Sequence, residues 1–324
     1  MSAPARVLIV RFSSLGDVVL TTPLVRALRH HWPGTEIVYA TDATYAPLLT
    51  SDPALNRVIG CPRHQSVRRL ARELAAFRPT LGIDLHDNAR SRALRTLVRP
   101  TEGWGVYRRQ RLAEALAIWT GVDRLRPGRP VAHRYFSAVE GRGVHPSGLR
   151  PRLHPPREAQ TRWASQLPPR SIALAPGARH ATKQWPATRW RRLADRLRAE
   201  GWTPWGIGLA NEAERLPAPH VTPAYGIGLA DTAALLGGVR LAVTHDSGLM
   251  HVAHAVGTPA VALFGPTVTW QGFAPTTPDV RVVERPLRCR PCTAFGSRYC
   301  PTGHHGCMDG IDVDQVLRAV SSLS

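Results

Sequence analysis

Residues 171–186, Ser-Ile-Ala-Leu-Ala-Pro-Gly-Ala-Arg-His-Ala-Thr-Lys-Gln-Trp-Pro, indicate the fold of this chain most directly. An apolar run that is typical of a buried strand leads into a glycine-bearing turn, and Thr182 and Lys183 then precede a helix-like segment. Proteins commonly hold a diphosphate in this arrangement, because N–H groups at the start of a helix point at the anion. The stretch therefore predicts an α/β fold with a diphosphate site after this strand.

Lys183 is the only lysine among the 42 lysine and arginine residues of the chain. An ammonium is a compact point charge, and it fits where the planar guanidinium of arginine would clash. The presence of one lysine in a chain that otherwise uses arginine favours the interpretation that Lys183 binds a phosphate. The alternative is a chance remnant on a loop.

Short apolar runs alternate with helix-like segments on both sides of this stretch. The predicted strands are 7–10, 36–40, 57–60, 81–85 and 104–106 in the first half, and 171–175, 205–209, 221–225, 241–244 and 259–264 in the second. The predicted helices are 20–31, 66–77 and 91–98, and then 190–200, 231–236, 249–256 and a capped terminal helix at 312–323. This repetition predicts parallel sheets with helices on both faces.

Between residues 121 and 169 the alternation gives way to proline, glycine, histidine and arginine. Because 324 residues suit two domains, this region predicts a linker between two Rossmann-like domains, 1–157 and 158–324. Ligands of such domains collect at the carboxyl ends of the strands. The loops after the strands are therefore where the chemistry is expected.

The net charge is +19 and the pI is about 11.3, so the chain attracts polyanions. Aromatic residues make up only 6% and arginine is spread along the whole chain, which argues against a specific nucleic-acid partner. The apolar runs are too short to span a bilayer, and the N-terminus has no signal-peptide pattern. These features predict a cytoplasmic protein.

The loop at 13–17, Ser-Ser-Leu-Gly-Asp, follows the first predicted strand. Its small residues let backbone N–H groups approach a ligand, and the Asp17 carboxylate is able to accept a proton from a hydroxyl. An aspartate before a helix is equally typical of an N-cap. From spacing alone both interpretations of Asp17 remain open.

Two more loops carry polar side chains after strands of the second half. Glu212 follows 205–209, where an acidic residue often binds ribose hydroxyls, although a solvated helix start is an alternative. In Thr-His-Asp-Ser-Gly-Leu-Met-His, residues 244–251, Asp246 or Ser247 is expected to cap a helix whose N–H groups face a phosphate. His251 lies near the same helix start, where a lone histidine is more often structural.

Together these loops resemble the bacterial lipopolysaccharide heptosyltransferases of glycosyltransferase family 9. The resemblance rests on Arg-Phe-Ser-Ser-Leu-Gly-Asp-Val-Val at 11–19, Thr-Lys-Gln-Trp-Pro at 182–186, and Asp-Ser-Gly-Leu-Met-His at 246–251 with Phe-Gly-Pro-Thr at 264–267. It implies a GT-B fold of two facing Rossmann-like domains with a C-terminal helix. It also implies transfer of heptose from ADP-heptose to the lipopolysaccharide inner core, with inversion at the anomeric centre and no catalytic metal.

Carried onto this sequence, the resemblance makes Asp17 the general base and Lys183 the ligand of the diphosphate. The donor-binding residues that it implies are Ser14, Gly16, Thr182, Lys183, Glu212, Asp246, Ser247, Gly248 and His251. The family often has threonine where this chain has Ser247, a change that keeps the hydroxyl.

The acceptor side is assigned to the segment 81–91, which resembles the acceptor-facing part of the family, and to nearby arginines. The expected acceptor-binding residues are Arg63, Arg68, Arg69, Asp87 and Arg90, with the arginines holding carboxylates or phosphates of the core. Each of these arginines is also readily explained as a solvated surface charge. The implied partners are the lipid A–Kdo core and, through the positive charge, the anionic cytoplasmic face of the inner membrane.

Two other functions remain open at this point. One is a family 9 enzyme with a different nucleotide sugar or glycan acceptor, because these motifs indicate binding of a diphosphate but do not identify the sugar attached to it. The other is a non-catalytic polyanion-binding protein on the same scaffold. Retention of Asp17, Lys183 and His251 together argues against the second.

Four of the five cysteines, Cys289, Cys292, Cys300 and Cys307, lie in one segment with His304 and His305. The first pair has the spacing of zinc ligands and four thiolates would complete a tetrahedral structural site, but the second pair is wider than usual. Reduced, packed thiols are the alternative, and disulfides are disfavoured in a reducing cytosol. Related heptosyltransferases, especially those that resemble the second-heptose enzyme, carry a similar segment.

Overall fold

The computed structural model describes residues 3–109, 111–120, 129–146, 148 and 150–324. The chain divides into two compact units. The first contains Met1–Gln110 and Val131–His154, and the second contains Arg111–Pro130 and Pro155–Ser324. The boundary after His154 lies within the proline-rich region 121–169. The part of this region before Val131 belongs to the second unit.

The first unit contains a five-stranded, wholly parallel sheet. Its strands are β1 (Arg6–Val10), β2 (Glu36–Asp42), β3 (Arg57–Cys61), β4 (Leu81–Asp84) and β5 (Trp104–Val106), in the order β3-β2-β1-β4-β5. The central strand β1 is apolar and almost fully buried, as a strand covered on both faces must be. Val10 pairs with Ala40 and Asp84 on either side, so the loops after these strands emerge from one edge of the sheet.

The helices of the first unit are α1 (Leu15–Leu20), α2 (Thr22–His31), α3 (Val67–Ala76), α4 (Ala89–Leu97) and α6 (Val131–Arg134), with a 3-10 segment at Tyr135–Val139. The sequence predicts one helix from 20 to 31, whereas the structure has two helices that meet at Thr21. The first begins five residues before the predicted start, at Leu15. The second begins at Thr22, where Pro23 lies in its first turn and lacks the N–H that an uninterrupted helix would require.

The second unit contains a six-stranded parallel sheet. Its strands are β6 (Ser171–Leu174), β7 (Thr203–Gly208), β8 (Thr222–Tyr225), β9 (Leu241–His245), β10 (Ala260–Phe264) and β11 (Val280–Glu284), in the order β11-β10-β9-β6-β7-β8. The ten predicted strands are all present in the two sheets, each within two residues of its predicted bounds. The prediction of parallel α/β sheets is therefore confirmed, and only the edge strand β11 was not predicted.

The helices of the second unit are α5 (Arg111–Thr120), α7 (Arg157–Ala164), α8 (Ala187–Ala199), α9 (Leu229–Gly238), α10 (Gly248–Val256), α11 (Gly306–Asp309) and α12 (Val313–Ser321). The prediction of an irregular linker up to residue 169 was wrong for α7. This helix packs on α9, and the indole N–H of Trp163 donates to Asp231 at 2.9 Å. The residues 121–128 of the predicted linker lie outside the described part of the chain.

Each unit has its own apolar core. In the first, Leu8 and Val10 of β1 pack with Leu70 and Leu94 of the covering helices. In the second, Trp185 and Trp190 are completely buried and stack edge-on, with ring centroids 5.3 Å apart. Of the helices in the described part of the chain, none combines the length and the apolar character needed to cross a membrane.

Candidate active site

Asp17 follows β1 closely and lies in the first turn of α1, for which Ser14 is the N-cap. Its Oδ2 accepts the Ser14 backbone N–H at 3.2 Å and the Ser14 hydroxyl at 2.8 Å. Asp17 is therefore not the N-cap that one sequence interpretation made it, but the third residue of the helix, whose carboxylate satisfies the N–H of the N-cap in a capping box. This contact does not exclude a chemical role, because the side chain is 18% exposed.

Arg11 and Tyr135 hold the same carboxylate from two further directions. The guanidinium of Arg11 lies 2.8 Å from Oδ2, and the Tyr135 hydroxyl donates to Oδ1 at 2.8 Å. Burial by itself raises the pKa of Asp17, but Arg11 and the hydrogen bonds from Ser14 and Tyr135 together lower that pKa below its ordinary value. Asp17 is therefore ionised at neutral pH, as a general base must be before it accepts a proton.

Arg11 is fixed in turn by the chain around it. Its guanidinium also donates to the Leu85 carbonyl at 2.5 Å and lies over the Tyr135 ring, 5.5 Å from the centroid. Tyr135 stays protonated because burial raises its pKa well above 10. The sequence pattern predicts no role for either residue. Tyr135 lies in the predicted linker, 118 positions from Asp17, where no local pattern marks it.

The predicted acceptor residues do not act as one group. Arg63 pairs with Asp42 at 2.6 Å, and Arg90 donates to the Pro62 carbonyl at 2.8 Å, so these two arginines converge on the loop after β3. Asp87 instead binds two arginines of α4, Arg92 at 3.0 Å and Arg95 at 3.2 Å. Its carboxylate thus pairs with side chains in the middle and the last turn of α4.

Arg68 and Arg69 are exposed in the first turn of α3. They lie close in sequence to Arg63, beyond the N-cap Ser66. Their position suits solvated surface charges as well as ligands for an acidic glycan.

In the second unit, Lys183 ends a 3-10 segment, Ala181–Lys183, and its ammonium makes a buried ion pair. Nζ lies 2.5 Å from Oδ2 of Asp246 and 3.2 Å from the Asp246 carbonyl. Thr267 donates its hydroxyl to the same Oδ2 at 2.6 Å. Burial raises the pKa of Asp246, but Lys183 and Thr267 lower it below its ordinary value. The positive charge expected to face a diphosphate is therefore already balanced by a carboxylate.

The ammonium still has capacity for a ligand. It carries three N–H donors, and the two oxygens of Asp246 use two of them. Its side chain is 12% exposed, so the remaining donor is accessible from outside the core.

Thr182, the neighbouring predicted donor residue, is used by the protein itself. Its hydroxyl donates to the Ser297 carbonyl at 2.9 Å and accepts the Ser297 N–H at 2.8 Å. Nε2 of His305 lies 2.9 Å from the Thr182 carbonyl. Thr182 therefore attaches the Lys183 loop to the segment that carries the cysteines.

His245, for which the sequence pattern predicts no role, fixes the other side of this loop. Its Nε2 accepts the Trp185 N–H at 2.9 Å, and its Nδ1 lies 3.0 Å from the Gly177 carbonyl. These partners require a neutral ring with the proton on Nδ1. Complete burial lowers the pKa of His245 to about 4, consistent with that form. The histidine thus ties β9 to both ends of the loop that carries Lys183.

Glu212 lies in a 3-10 segment, Ala210–Arg215, after β7. Its carboxylate accepts the Leu209 N–H at 2.8 Å, and burial raises its pKa. A Cβ on Gly177 would lie 1.9 Å from the carboxylate carbon, and one on Gly208 would lie 2.2 Å from Oε2. The two glycines leave the space in which this carboxylate lies, at the carboxyl ends of β6 and β7.

The start of α10 follows Asp246 directly. Ser247 is the N-cap, as one of the two predicted alternatives had it, but its hydroxyl makes no capping hydrogen bond. Within the described residues this hydroxyl is buried and has no hydrogen-bond partner, so it is available to a ligand. Gly248 is the first residue of the helix, and His251 is buried in its first turn. These residues lie at the start of α10, whose first N–H groups have no partner within the helix.

The cysteine segment packs on the loop after β10. Cys292 donates its N–H to the Pro266 carbonyl at 3.2 Å, and Arg290 donates to the Gly265 and Thr267 carbonyls. All five cysteines are free thiols. Among the described residues, which include the whole segment, no three His, Cys, Asp or Glu side chains are arranged to hold a metal ion. The predicted four-thiolate zinc site stays a prediction, beside the alternative of reduced, packed thiols.

Comparison with known proteins places these two sites in a family. Residues 67–301 match the model of glycosyltransferase family 9 (heptosyltransferase). The lipopolysaccharide heptosyltransferase 1 of Pseudomonas aeruginosa is 30% identical, over 92% of this chain and 88% of its own length. The chain is therefore a glycosyltransferase.

Solved structures agree with this result. The fold is similar to that of Escherichia coli ADP-heptose lipopolysaccharide heptosyltransferase II, with a TM-score of 0.76 at 22% identity over 98% of each chain. It is also similar to Escherichia coli heptosyltransferase WaaC with ADP, with a TM-score of 0.73 at 19% identity, over 98% of this chain and 100% of that one. The fold is GT-B-like, and the chain belongs to glycosyltransferase family 9. The resemblance seen in the motifs is confirmed.

Proposed function

We propose that this enzyme transfers heptose from ADP-heptose to the inner core of lipopolysaccharide, with inversion at the anomeric carbon. The relatives described above support this substrate pair through their names. The structural observation that carries the proposal is the cluster of Lys183, Asp246 and the buried, unpartnered hydroxyl of Ser247 at the start of α10. This cluster has the donors that a leaving diphosphate requires.

The donor is held by the second unit. Its diphosphate accepts the remaining N–H of Lys183, the Ser247 hydroxyl and the N–H groups at the start of α10, where the helix dipole also favours negative charge. Asp246 orients the ammonium, and its own charge is balanced by Lys183. Glu212 accepts hydroxyls of the nucleoside ribose, in the space that Gly177 and Gly208 leave.

Asp17 is the general base of the reaction. The acceptor oxygen forms its bond to the anomeric carbon while the bond from that carbon to the ADP oxygen breaks. The proton of the acceptor hydroxyl passes to Asp17, and the electron pair of the broken bond leaves with ADP. Lys183 and the helix start stabilise the charge that develops on the diphosphate, so the step requires no catalytic metal.

The acceptor is the Kdo-bearing or heptose-bearing core on lipid A. Arg63 and Arg90 converge on the loop after β3, and Arg68 and Arg69 extend the positive charge along α3. Guanidinium groups bind carboxylates and phosphates well, and the inner core carries both. This assignment places the enzyme at the cytoplasmic face of the inner membrane.

Calorimetric titration with ADP, UDP and GDP tests the donor assignment. We expect micromolar binding that is selective for ADP in the wild type and absent in Lys183→Ala. Arg196→Ala is the control, because it also removes one cation of the second unit but from an exposed ion pair with Asp314. Release of ADP from ADP-heptose in the presence of the lipid A–Kdo acceptor then tests transfer.

Other outcomes would redirect the assignment. Selective binding of UDP or GDP would favour a family 9 enzyme with another nucleotide sugar. Absence of nucleotide binding, combined with salt-sensitive binding to polyanions, would reject catalysis of this kind.

A further inference from the structure

Helix α5 exposes its large apolar side chains. Leu112 is 83% exposed, Leu116 is 47% exposed and Trp119 is 85% exposed. The spacing of four and three residues places them on one face of the helix, along about 10 Å of its length. The opposite face is buried through Ala117 and Glu114. An amphipathic helix of a globular protein normally buries its large apolar side chains against the core and exposes its polar face.

Such a stripe indicates an interaction surface. Single apolar side chains on a surface need no explanation, but a contiguous patch costs free energy in water and is typical of a binding site. Three of the seven large hydrophobic residues exposed in the described chain lie in this one ten-residue helix. The stripe therefore requires a partner with an apolar interior.

The charge around α5 indicates which partner this is. The sequence from Arg108 to Arg129 holds six arginines and only two carboxylates, and the carboxylate of Glu114 is buried. Arg108 is exposed shortly before the helix. A leucine and tryptophan face with arginines close by in the sequence on both sides is the pattern of a helix that lies in the interface of an anionic bilayer. A second copy of this chain would bring the same excess of arginines against itself, and like charges would oppose that contact.

We propose that α5 docks the protein on anionic lipid membranes, with Leu112, Leu116 and Trp119 inserted among the acyl chains near the headgroups. The tryptophan occupies the boundary where its apolar ring and polar N–H are both accommodated. The arginines contact lipid phosphates. The proposal deepens the transferase assignment, which gives a membrane location without naming the surface that binds lipid. Because this surface is defined by exposure and charge alone, it does not depend on the identity of the donor or the acceptor.

Co-sedimentation with vesicles that lack any glycolipid tests the proposal. The lipid is phosphatidylcholine alone or with about a third phosphatidylglycerol, which sets the negative surface charge. The full-length wild type is expected to bind the anionic vesicles and to be released by high salt. A Leu112→Gln, Leu116→Gln, Trp119→Gln variant is expected to bind at least about tenfold more weakly. Leu97→Gln, at a half-exposed leucine of the first unit, is expected to bind as the wild type does.

Fluorescence then reports whether α5 itself enters the lipid. We expect a blue shift of the wild-type emission on anionic vesicles, and loss of most of that shift in Trp119→Phe, which keeps an apolar ring at the stripe. Circular dichroism and thermal unfolding verify that each variant is folded.

Two results would overturn the proposal. One is equal vesicle binding by the wild type and the folded triple variant. The other is a wild-type dimer in sedimentation velocity that the triple variant abolishes without any change in vesicle binding, since the stripe would then bind a second copy. Neither result bears on nucleotide binding, so failure here is distinguishable from failure of the transferase assignment.

Discussion

The hydroxyl of Tyr135 donates to Oδ1 of Asp17 at 2.8 Å, across 118 residues of sequence. Oδ2 of the same carboxylate is held by Arg11 and Ser14. The proposed base therefore has a fixed orientation and a lowered pKa, since each of these partners favours its charged form. A strongly stabilised carboxylate is a weak base, but it is ionised over a wide range of pH.

Tyr135→Phe removes one of these donors, and we expect the pKa of Asp17 to rise as a result. The acid limb of kcat/KM, which reports the ionisation of the free enzyme, should move to higher pH. kcat should fall about tenfold, the scale of a hydrogen bond to a charged group. Tyr225→Phe, which removes the hydrogen bond to the Leu216 carbonyl in the other unit, serves as control for a lost tyrosine hydroxyl. An unmoved acid limb in Tyr135→Phe would show that Tyr135 does not set the pKa of the base.

Asp17→Asn keeps the shape of the side chain but removes its ability to accept a proton. Turnover should fall by about a hundredfold or more, while ADP binding stays close to that of the wild type. Stability should also fall, by about 3–5 kcal/mol, because buried Arg11 loses its carboxylate. Glu102→Gln, which breaks the ion pair with Arg142 in the same unit, is the control for a lost carboxylate. Near-normal turnover in the folded Asp17→Asn protein would reject the base.

Lys183→Ala has two effects that a double variant separates. It removes a diphosphate ligand, and it leaves Asp246 as an unpaired buried charge, which costs about 3–5 kcal/mol of stability. In the variant Lys183→Ala with Asp246→Asn, urea unfolding should show that much of this stability returns, because the buried charge is gone. Titration should show that ADP binding does not return. Recovery of binding in the double variant would mean that Lys183 acts only by supporting the fold.

Gly177→Ala introduces a methyl group 1.9 Å from the carboxylate carbon of Glu212. The carboxylate must move, so we expect ADP to bind about tenfold or more weakly, the scale of about 1.4 kcal/mol or more for a lost charged hydrogen bond to ribose. In Gly228→Ala, where the new Cβ meets nothing within 4 Å, binding should be unchanged. Calorimetry with ADP makes the comparison. Equal affinities in the two variants would remove Glu212 from the nucleoside site.

His245 makes the stability of the protein depend on pH. Its pKa is about 4 in the folded protein, against an ordinary value of 6.5, so the unfolded chain binds the extra proton first as pH falls. The free energy of unfolding should therefore decrease from about pH 6.5 down to about pH 4, by at most about 1.4 kcal/mol per pH unit from this group. In urea unfolding of His245→Gln, the free energy of unfolding should change less steeply with pH in this range, and it should be lower than that of the wild type above about pH 6.5. The exposed control His30→Gln should keep the pH dependence of the wild type. A slope in His245→Gln equal to that of the wild type would refute the assignment.

The strands and the loops of the candidate site are visible in the sequence because they depend on local pattern. A short apolar run marks β1 or β6, and a loop with small residues follows each within a few positions, whatever packs on it later. The division between α1 and α2 at Thr21 also has a local cause, because Pro23 interrupts the helix. The apolar periodicity nevertheless continues across Thr21, so the sequence pattern does not show the break.

The partners of the site residues are not visible, because they are tertiary. Lys183 and Asp246 were both assigned to the donor, but nothing near either residue indicates that one neutralises the other across 63 positions. Tyr135 and α7 lie in a region whose proline content suggests a linker, and only packing against distant elements makes them structural.

That the chain has a single lysine also means that it has a single peptide bond, between Lys183 and Gln184, at which a lysine-specific protease cuts. In the folded protein this bond lies beside a largely buried side chain, and Thr182 and Trp185 fix the backbone around it. Cleavage therefore requires that this one loop open. The protein thus contains a built-in reporter, in which the rate of one proteolytic cut measures how often the proposed donor loop leaves its closed conformation.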